Sequence, residues 1–285
     1  MNAAPPRLFA STELAARLER AETSLIAESA SAATARDPQG RHFSLPLAGG
    51  VAAWAGEGSP LNKVVGLGFD GALDETALAG IEAAFAERGS PVQVELSTAA
   101  DPAVAAALTR RGYVLSGFEN VLALRLEAGR SARIAPGVSV RESAAEEFDE
   151  WIDIVVRGFA APDLQGVAAH EEFPRDVIER AMRDCIAASG FVLTTALRDG
   201  VPAGGGSLRQ CDRVAQLCGA ATLPAHRRHG VQSSLLEARL AAAAKAGCDI
   251  AVVTTQPGSK SQQNVQKLGF ELMYSRAVLV RAFEV

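Results

Sequence analysis

The run Thr222-Leu223-Pro224-Ala225-His226-Arg227-Arg228-His229-Gly230-Val231-Gln232-Ser233-Ser234 is the stretch best equipped for chemistry. It joins strand-like residues that end at Thr222 to a long helical pattern that begins at Gly230. The first amides of a helix have no partner inside it and point outward. With the helix dipole they form an anion site. Gly230 lets a ligand approach the backbone closely. Ser233 and Ser234 add hydroxyl donors, and Arg227, Arg228 and His229 add positive charge. Such a turn suits a pyrophosphate. It is not a Walker loop, because Gly-Lys-Ser/Thr is absent, and it is not GxGxxG. The plainer reading of Arg227 and Arg228 is a solvated loop.

Other chemistries find less support. Cys185, Cys211, Cys218 and Cys248 show no CxxC spacing, and His42, His170, His226 and His229 form no HExxH pair, so no metal site is expected. Cys218 has no evident base beside it and reads as a core residue. The net charge of −5 and an aromatic content of 5% speak against nucleic-acid binding. No apolar run reaches the length of a membrane span, and the N-terminus lacks a signal-peptide pattern. Free cysteines and no leader lead to the expectation of a cytoplasmic protein.

The elements that must position this turn follow from periodicity and punctuation. In the first half, helices are expected over 12–29, 74–88 and 101–111, and strands over 42–47, 51–54, 63–69, 92–96 and 113–126. Residues 127–137 read as a linker. In the second half, strands are expected over 138–141, 191–198, 213–222 and 249–255. Asp199-Gly200 marks a hairpin, whose return strand carries Gly204-Gly205-Gly206, a bulge or a ligand-facing strand. Helices are expected over about 144–157, 177–186, 230–246 and 259–268, and a final strand pair after Gly269-Phe270. Residues 158–174 read as a long loop. The two halves share an order: helix, Gly89, strand, helix, Gly112-Tyr113, strand, against helix, Gly247, strand, helix, Gly269-Phe270, strand. This order reads as an internal repeat of one α/β unit.

With the turn placed between strand and helix, the second half resembles the GNAT-type N-acetyltransferases. Their cofactor loop reads Arg/Gln-x-x-Gly-x-Gly/Ala; here it is Arg227-x-x-Gly230-x-Gln232, with Pro224 upstream. Gln232 departs from the small residue of that pattern. The family's closing Asn-x-x-Ser and Leu-Gly-Phe appear as Gly258-x-x-Ser261 and Leu268-Gly269-Phe270, and Val265 stands where related enzymes often carry a catalytic tyrosine. The 257–264 run also resembles a variant in bacterial members with two tandem halves. The resemblance covers 138–285; the first half has no such loop before the helix at Asp74.

The resemblance implies a mixed α/β fold of two tandem GNAT-like acyl-CoA N-acyltransferase domains: a degenerate one over 1–127 and a catalytic one over 137–285. It implies acetyl-CoA as cosubstrate, without a metal, and direct acetyl transfer to a primary amine of a small molecule or, as the lesser reading, a peptide. The chain would act as a monomer or homodimer. Ala220, Ala221 and Thr222 would pair with pantetheine, and the Thr222 N–H would polarise the thioester carbonyl. Arg227, Arg228, His229, Gly230, Val231, Gln232 and Ser233 would hold the pyrophosphate, with Ser261 and Asn264 reaching CoA from the last helix. Tyr274, the only tyrosine of this half, is a candidate acid or a core residue; Glu171 and Glu172 are candidate bases. The rival readings are a non-catalytic acyl-CoA-binding or interaction protein, and an unrelated nucleotide-binding domain.

Overall fold

The computed structural model describes residues 7–161, 167 and 173–283. The first half runs α1 (Thr12–Arg36), β1 (Phe43–Leu47), β2 (Gly50–Trp54), β3 (Lys63–Val65), α2 (Glu75–Ala86), β4 (Val92–Ser97), α3 (Pro102–Arg110), β5 (Val114–Arg125). The second runs β6 (Val138–Glu142), α4 (Phe148–Phe159), α5 (Arg175–Ile186), β7 (Phe191–Arg198), β8 (Val201–Cys211), β9 (Val214–Thr222), α6 (Val231–Lys245), β10 (Ile250–Thr255), α7 (Lys260–Lys267), β11 (Glu271–Arg281).

Three elements differ from the sequence expectation. Helix α1 continues to Arg36, because the Ala-rich stretch after Ser29 is a good helix former and buries Ala30 and Ala33. Strand β3 stops at Val65, where Gly66 turns the chain at φ +76°. The segment after Phe270 is one strand rather than a pair. Both edges of β11 are occupied, so it has no reason to fold back on itself.

The strands form one 11-stranded sheet in the order β1-β2-β3-β4-β11-β5-β10-β9-β8-β7-β6. Its centre is interlocked. β4 and β5 are joined through α3, yet β11 lies between them, antiparallel to both. β10 and β11 are joined through α7, yet β5 lies between them, again antiparallel to both. Each half thus closes the gap left by the other's crossover. The exchange buries two strand edges that would otherwise be open.

Helices α1, α4 and α5 cover one face, and α2, α3, α6 and α7 the other. Alternation along the strands decides which residues meet which helix. Val214 and Val252 pack with Leu18 of α1, while Ala215 and Ala251 pack with Leu236 and Leu240 of α6. The glycine run in β8 has a steric cause. A Cβ on Gly204 would meet Val231 of α6 at 3.1 Å, one on Gly205 would meet Val155 of α4 at 2.8 Å, and one on Gly206 would meet Arg239 of α6 at 3.1 Å. The ladder to β9 also slips between Gly205 and Ser207, so the run is a bulge as well as a close approach.

Candidate functional site

β9 and β10 pair in parallel from Val214–Ile250 to Gln216–Val252 and no further. β9 continues to Thr222 and β10 to Thr255, so a gap opens between them. The slip against β8 falls at Gly219 and Ala220, with Gly219 at φ +37°. Beyond it the Leu223 N–H donates to Ala203 at 3.0 Å, on the β8 side. Successive amides along a strand point in opposite directions. The Thr222 N–H therefore faces the gap.

Arg239 underlies this bulge. It is 1% exposed and donates to the carbonyls of Ser207 at 2.9 Å, Cys218 at 3.3 Å and Leu235 at 3.1 Å. Among the described residues no carboxylate pairs with it, and burial pulls its pKa down to about 10. A buried cation held only by carbonyls is costly. Its contacts bridge β8 and β9 where their register breaks.

At the mouth of the gap stands the N-terminus of α6. Gly230 is at φ +78°, no side chain caps the helix, and no acidic residue lies in its first turn. A Cβ on Gly230 would meet Ala135 Cβ at 2.5 Å, so the segment between β5 and β6 packs directly on this turn. The Ser234 hydroxyl accepts the Ala135 N–H at 3.0 Å, whereas Ser233 is exposed and Val231 buried. The Thr222 hydroxyl donates to Gln232 Oε1 at 3.3 Å, so this side chain folds back onto the strand end. Arg227 donates to Thr222 O and Gly158 O, each at 3.4 Å, and to Ala161 O. It thereby caps the C-terminus of α4, where carbonyls favour a cation. Arg228 and His229 are exposed. On α7, Ser261 is exposed, Asn264 is half-buried, and Val265 sits in the core with Leu236 and Leu240.

On the α1 face, a cavity of about 220 Å³ opens between β9 and β10, walled by Leu18, Glu22, Gln216, Cys218, Thr254 and Arg276 among others. Behind it lies a cluster of buried charges. Arg276 pairs with Glu19 at 2.8 Å, Glu95 at 3.6 Å and Glu119 at 3.8 Å, and Lys63 pairs with Glu95. The Tyr274 hydroxyl donates to Glu19 at 2.7 Å. Burial, aided by the charge of Glu19, drives the phenol's pKa far above its ordinary value, so it stays protonated. Burial raises the Glu19 carboxyl against the pull of Arg276. Burial and the charge of Glu95 raise Glu119 to about 7. Burial likewise raises the Cys218 thiol, which disfavours a nucleophilic thiolate there.

The structure thus brings Thr222, Ala220, Ala221 and the α6 turn to one gap, and places Tyr274 in the charge cluster under α1. Glu171 and Glu172 lie outside the described residues. The sequence reading missed Glu19, Glu22, Glu119, Arg239 and Arg276. A signal existed for some. Glu19 and Glu22 interrupt the apolar stripe of Ala15, Leu18, Ala21 and Leu25, and Arg239 interrupts that of Leu235, Leu236, Leu240 and Ala243. A charge on the buried side of a helix announces a partner that the local sequence does not name.

Splayed parallel strands, a bulge and an uncapped helix behind them can hold a thioester and its phosphates. Residues 150–270 match the model of the acetyltransferase (GNAT) family. The match lies wholly within the second half of the chain. No curated protein matches the chain. Among solved structures, a GCN5-related N-acetyltransferase from Kribbella flavida is similar at 20% identity and a TM-score of 0.59, over 90% of this chain and 96% of that one. A tandem GNAT protein from the clavulanic acid biosynthesis pathway is similar at 16% identity and a TM-score of 0.59, over 96% and 97%. A GCN5-related N-acetyltransferase from Sphaerobacter thermophilus is similar at 12% identity and a TM-score of 0.54, over 73% and 67%. At these identities the likeness is one of fold, and for the first two it extends through both halves. Among the described residues, no helix is long and apolar enough to cross a membrane.

Proposed function

We propose that the chain transfers the acetyl group of acetyl-CoA to a primary amine of a small molecule, directly and without an acyl-enzyme. Residues 137–285 form the catalytic GNAT domain, and residues 1–127 a GNAT-like domain without a cofactor loop. The observation that carries this reading is the gap beyond Gln216–Val252, faced by the Thr222 N–H and closed by the uncapped N-terminus of α6. The donor group fits it: acetyl-CoA supplies an activated thioester on an extended, amide-bearing arm that ends in a pyrophosphate.

Ala220, Ala221 and Thr222 pair with that arm as a neighbouring strand would. The Thr222 N–H donates to the thioester oxygen as negative charge develops there. The amides of Val231, Gln232 and Ser233, with Gly230, Arg228 and His229, receive the phosphates. Arg227 holds this loop against α4. Ser261 and Asn264 contact the donor from α7.

Calorimetry with acetyl-CoA, CoA and ATP tests the reading. Acetyl-CoA and CoA bind and ATP does not. Failure of acetyl-CoA to bind at millimolar concentration ends it. A second reading, a non-catalytic acyl-CoA-binding protein, draws on the commitment of the Tyr274 hydroxyl to Glu19 and on the burial of Val265. Release of free thiol with an amine panel, measured against buffer, separates the two.

A further inference from the structure

We infer that Arg239 is a positioning residue of the transfer site: its buried guanidinium holds the bulge in β9 that turns the Thr222 N–H toward the thioester. The inference rests on the acetyl-transfer reading and names the side chain that sets its oxyanion donor.

The register shows what the bulge does. Ser207 pairs with Cys218 before it, and Gly205 pairs with Ala221 and Gly204 with Thr222 after it, so Gly219 and Ala220 together face Gly206. In an unbroken ladder running on from Ser207 and Cys218, Thr222 would stand opposite Ala203. The Ala203 carbonyl is the one that takes the Leu223 N–H at 3.0 Å. Without the extra residue that carbonyl would take the Thr222 N–H instead, and the gap would lose its donor. A slip of one residue reverses the direction of every group beyond it. The strands themselves guard poorly against such a slip, because Gly204, Gly205, Gly206 and Gly219 have no side chains to fix the register.

Arg239 supplies the lock. Its Nη1 donates to Ser207 O at 2.9 Å and to Cys218 O at 3.3 Å, the pair at which the regular ladder ends. Its Nε donates to Leu235 O at 3.1 Å, one turn back in α6, which ties the guanidinium to its own helix. The group lies over the residue that faces the bulge. A Cβ on Gly206 would stand 3.1 Å from Arg239 Cζ, 3.2 Å from Nε and 3.3 Å from Nη1. Arg239 thus fills the place that a side chain on Gly206 would take.

Stability does not account for this arginine. Among the described residues three arginines are buried, Arg209, Arg239 and Arg276. Arg209 pairs with Glu28 and Arg276 with Glu19, whereas Arg239 binds main-chain carbonyls alone. Apolar replacement of a buried ion is often neutral or stabilising. What a rigid fork of donors does supply is fixed carbonyl directions. The phosphates are received about two turns earlier in α6, so the lock and the anchor of the donor are separate.

The test follows the thioester carbonyl itself, in the full chain, with acetyl-CoA isotope-labelled at that carbonyl. A hydrogen bond from the Thr222 N–H weakens the C=O bond, so the infrared band of the bound donor lies below that of free acetyl-CoA. Arg239→Met loses more than half of that displacement. Calorimetry finds its acetyl-CoA affinity within about fivefold of the parent, which also shows that the variant has folded. Arg239→Lys, which keeps a cation and its donors, falls between. Gly206→Ala, whose Cβ displaces the guanidinium, reproduces the loss with Arg239 in place, and the double variant adds nothing to it. Should Arg239→Met fail to fold, Arg239→Lys and Gly206→Ala carry the same reading. The inference is overturned if these variants bind acetyl-CoA with the parent's band position, or if the losses from Gly206→Ala and Arg239→Met add. Absence of acetyl-CoA binding, or an undisplaced band, in the unaltered protein would instead defeat the acetyl-transfer reading itself.

Discussion

Helices α2 and α6 occupy matching places in the two halves. Each follows a strand, crosses the same face of the sheet and leads to a strand parallel to the first. Their N-termini differ. At α2, Asp74 accepts the N–H groups of Thr76 and Ala77 at 2.8 and 3.2 Å, and Glu75 adds a second carboxylate to the first turn. At α6 no side chain caps the helix, and arginines and a histidine precede it. The strand before α2 has 3 residues, and that before α6 has 9. One half has satisfied its helix with its own carboxylate and shortened the strand that would flank a ligand. The other leaves both open. An absent cap typically costs about 0.5–2 kcal/mol, which a bound anion can offset.

The halves remain dependent on each other because their closing strands are exchanged. The largest effect expected is at that seam. Arg276→Met leaves Glu19, Glu95 and Glu119 without their guanidinium in the interior, which destabilises by about 3–5 kcal/mol. Urea denaturation should show one transition at lower midpoint for both halves. Two separate transitions would break the idea that they fold as a unit.

The seam also titrates. A carboxyl raised to about 7 by burial and by Glu95 holds its proton in the folded state but not in the unfolded one between pH 4.5 and 7. The folded state binds more protons there, so stability falls as pH rises through that window. Glu119→Gln should flatten this fall, by about 1–3 kcal/mol between the two ends. Thermal unfolding from pH 4.5 to 8 checks it; an unchanged slope would remove Glu119 from the account.

Two smaller effects sharpen the comparison of α2 with α6. Gln232→Glu puts a carboxylate into the first turn of α6, as Glu75 does in that of α2, and should weaken acetyl-CoA binding at least tenfold, about 1.4 kcal/mol. Thr76→Glu, its counterpart in α2, should leave that affinity unchanged. Calorimetry on the pair decides it, and equal loss in both would mean that the α6 turn is not special. Asp74→Ala removes the α2 cap and should cost about 1 kcal/mol of stability with acetyl-CoA affinity intact.

What the chain fixed by sequence alone is local. The 3.6-residue periodicity set the helices, Asp74, Asp101 and Ser259 cap α2, α3 and α7 as their types require, and Asp199-Gly200 turns a hairpin at φ +51° and +80°. Gly89, Gly112, Gly247 and Gly269, the punctuation of the repeated order, all lie at positive φ, where only glycine is unstrained. The turn at Arg227–Gly230 was legible because its chemistry is carried by neighbours in the chain. The roles within it were not: Arg227 caps a helix that ends far away in sequence, and Gln232 bends to Thr222. Only the tertiary structure decided which strand lies beside which. A crossover leaves a gap that any antiparallel strand of fitting register can fill, so local pattern does not say that β11 enters the first half and β5 the second. That exchange sets Arg276 opposite Glu119 in the ladder, and the packing of α1 on the sheet brings Glu19 to Arg276 and Glu22 to the gap between β9 and β10. Charges so far apart in the chain meet only because the folded sheet gives them a shared, dry interior, and there their partners, not their types, determine what they do.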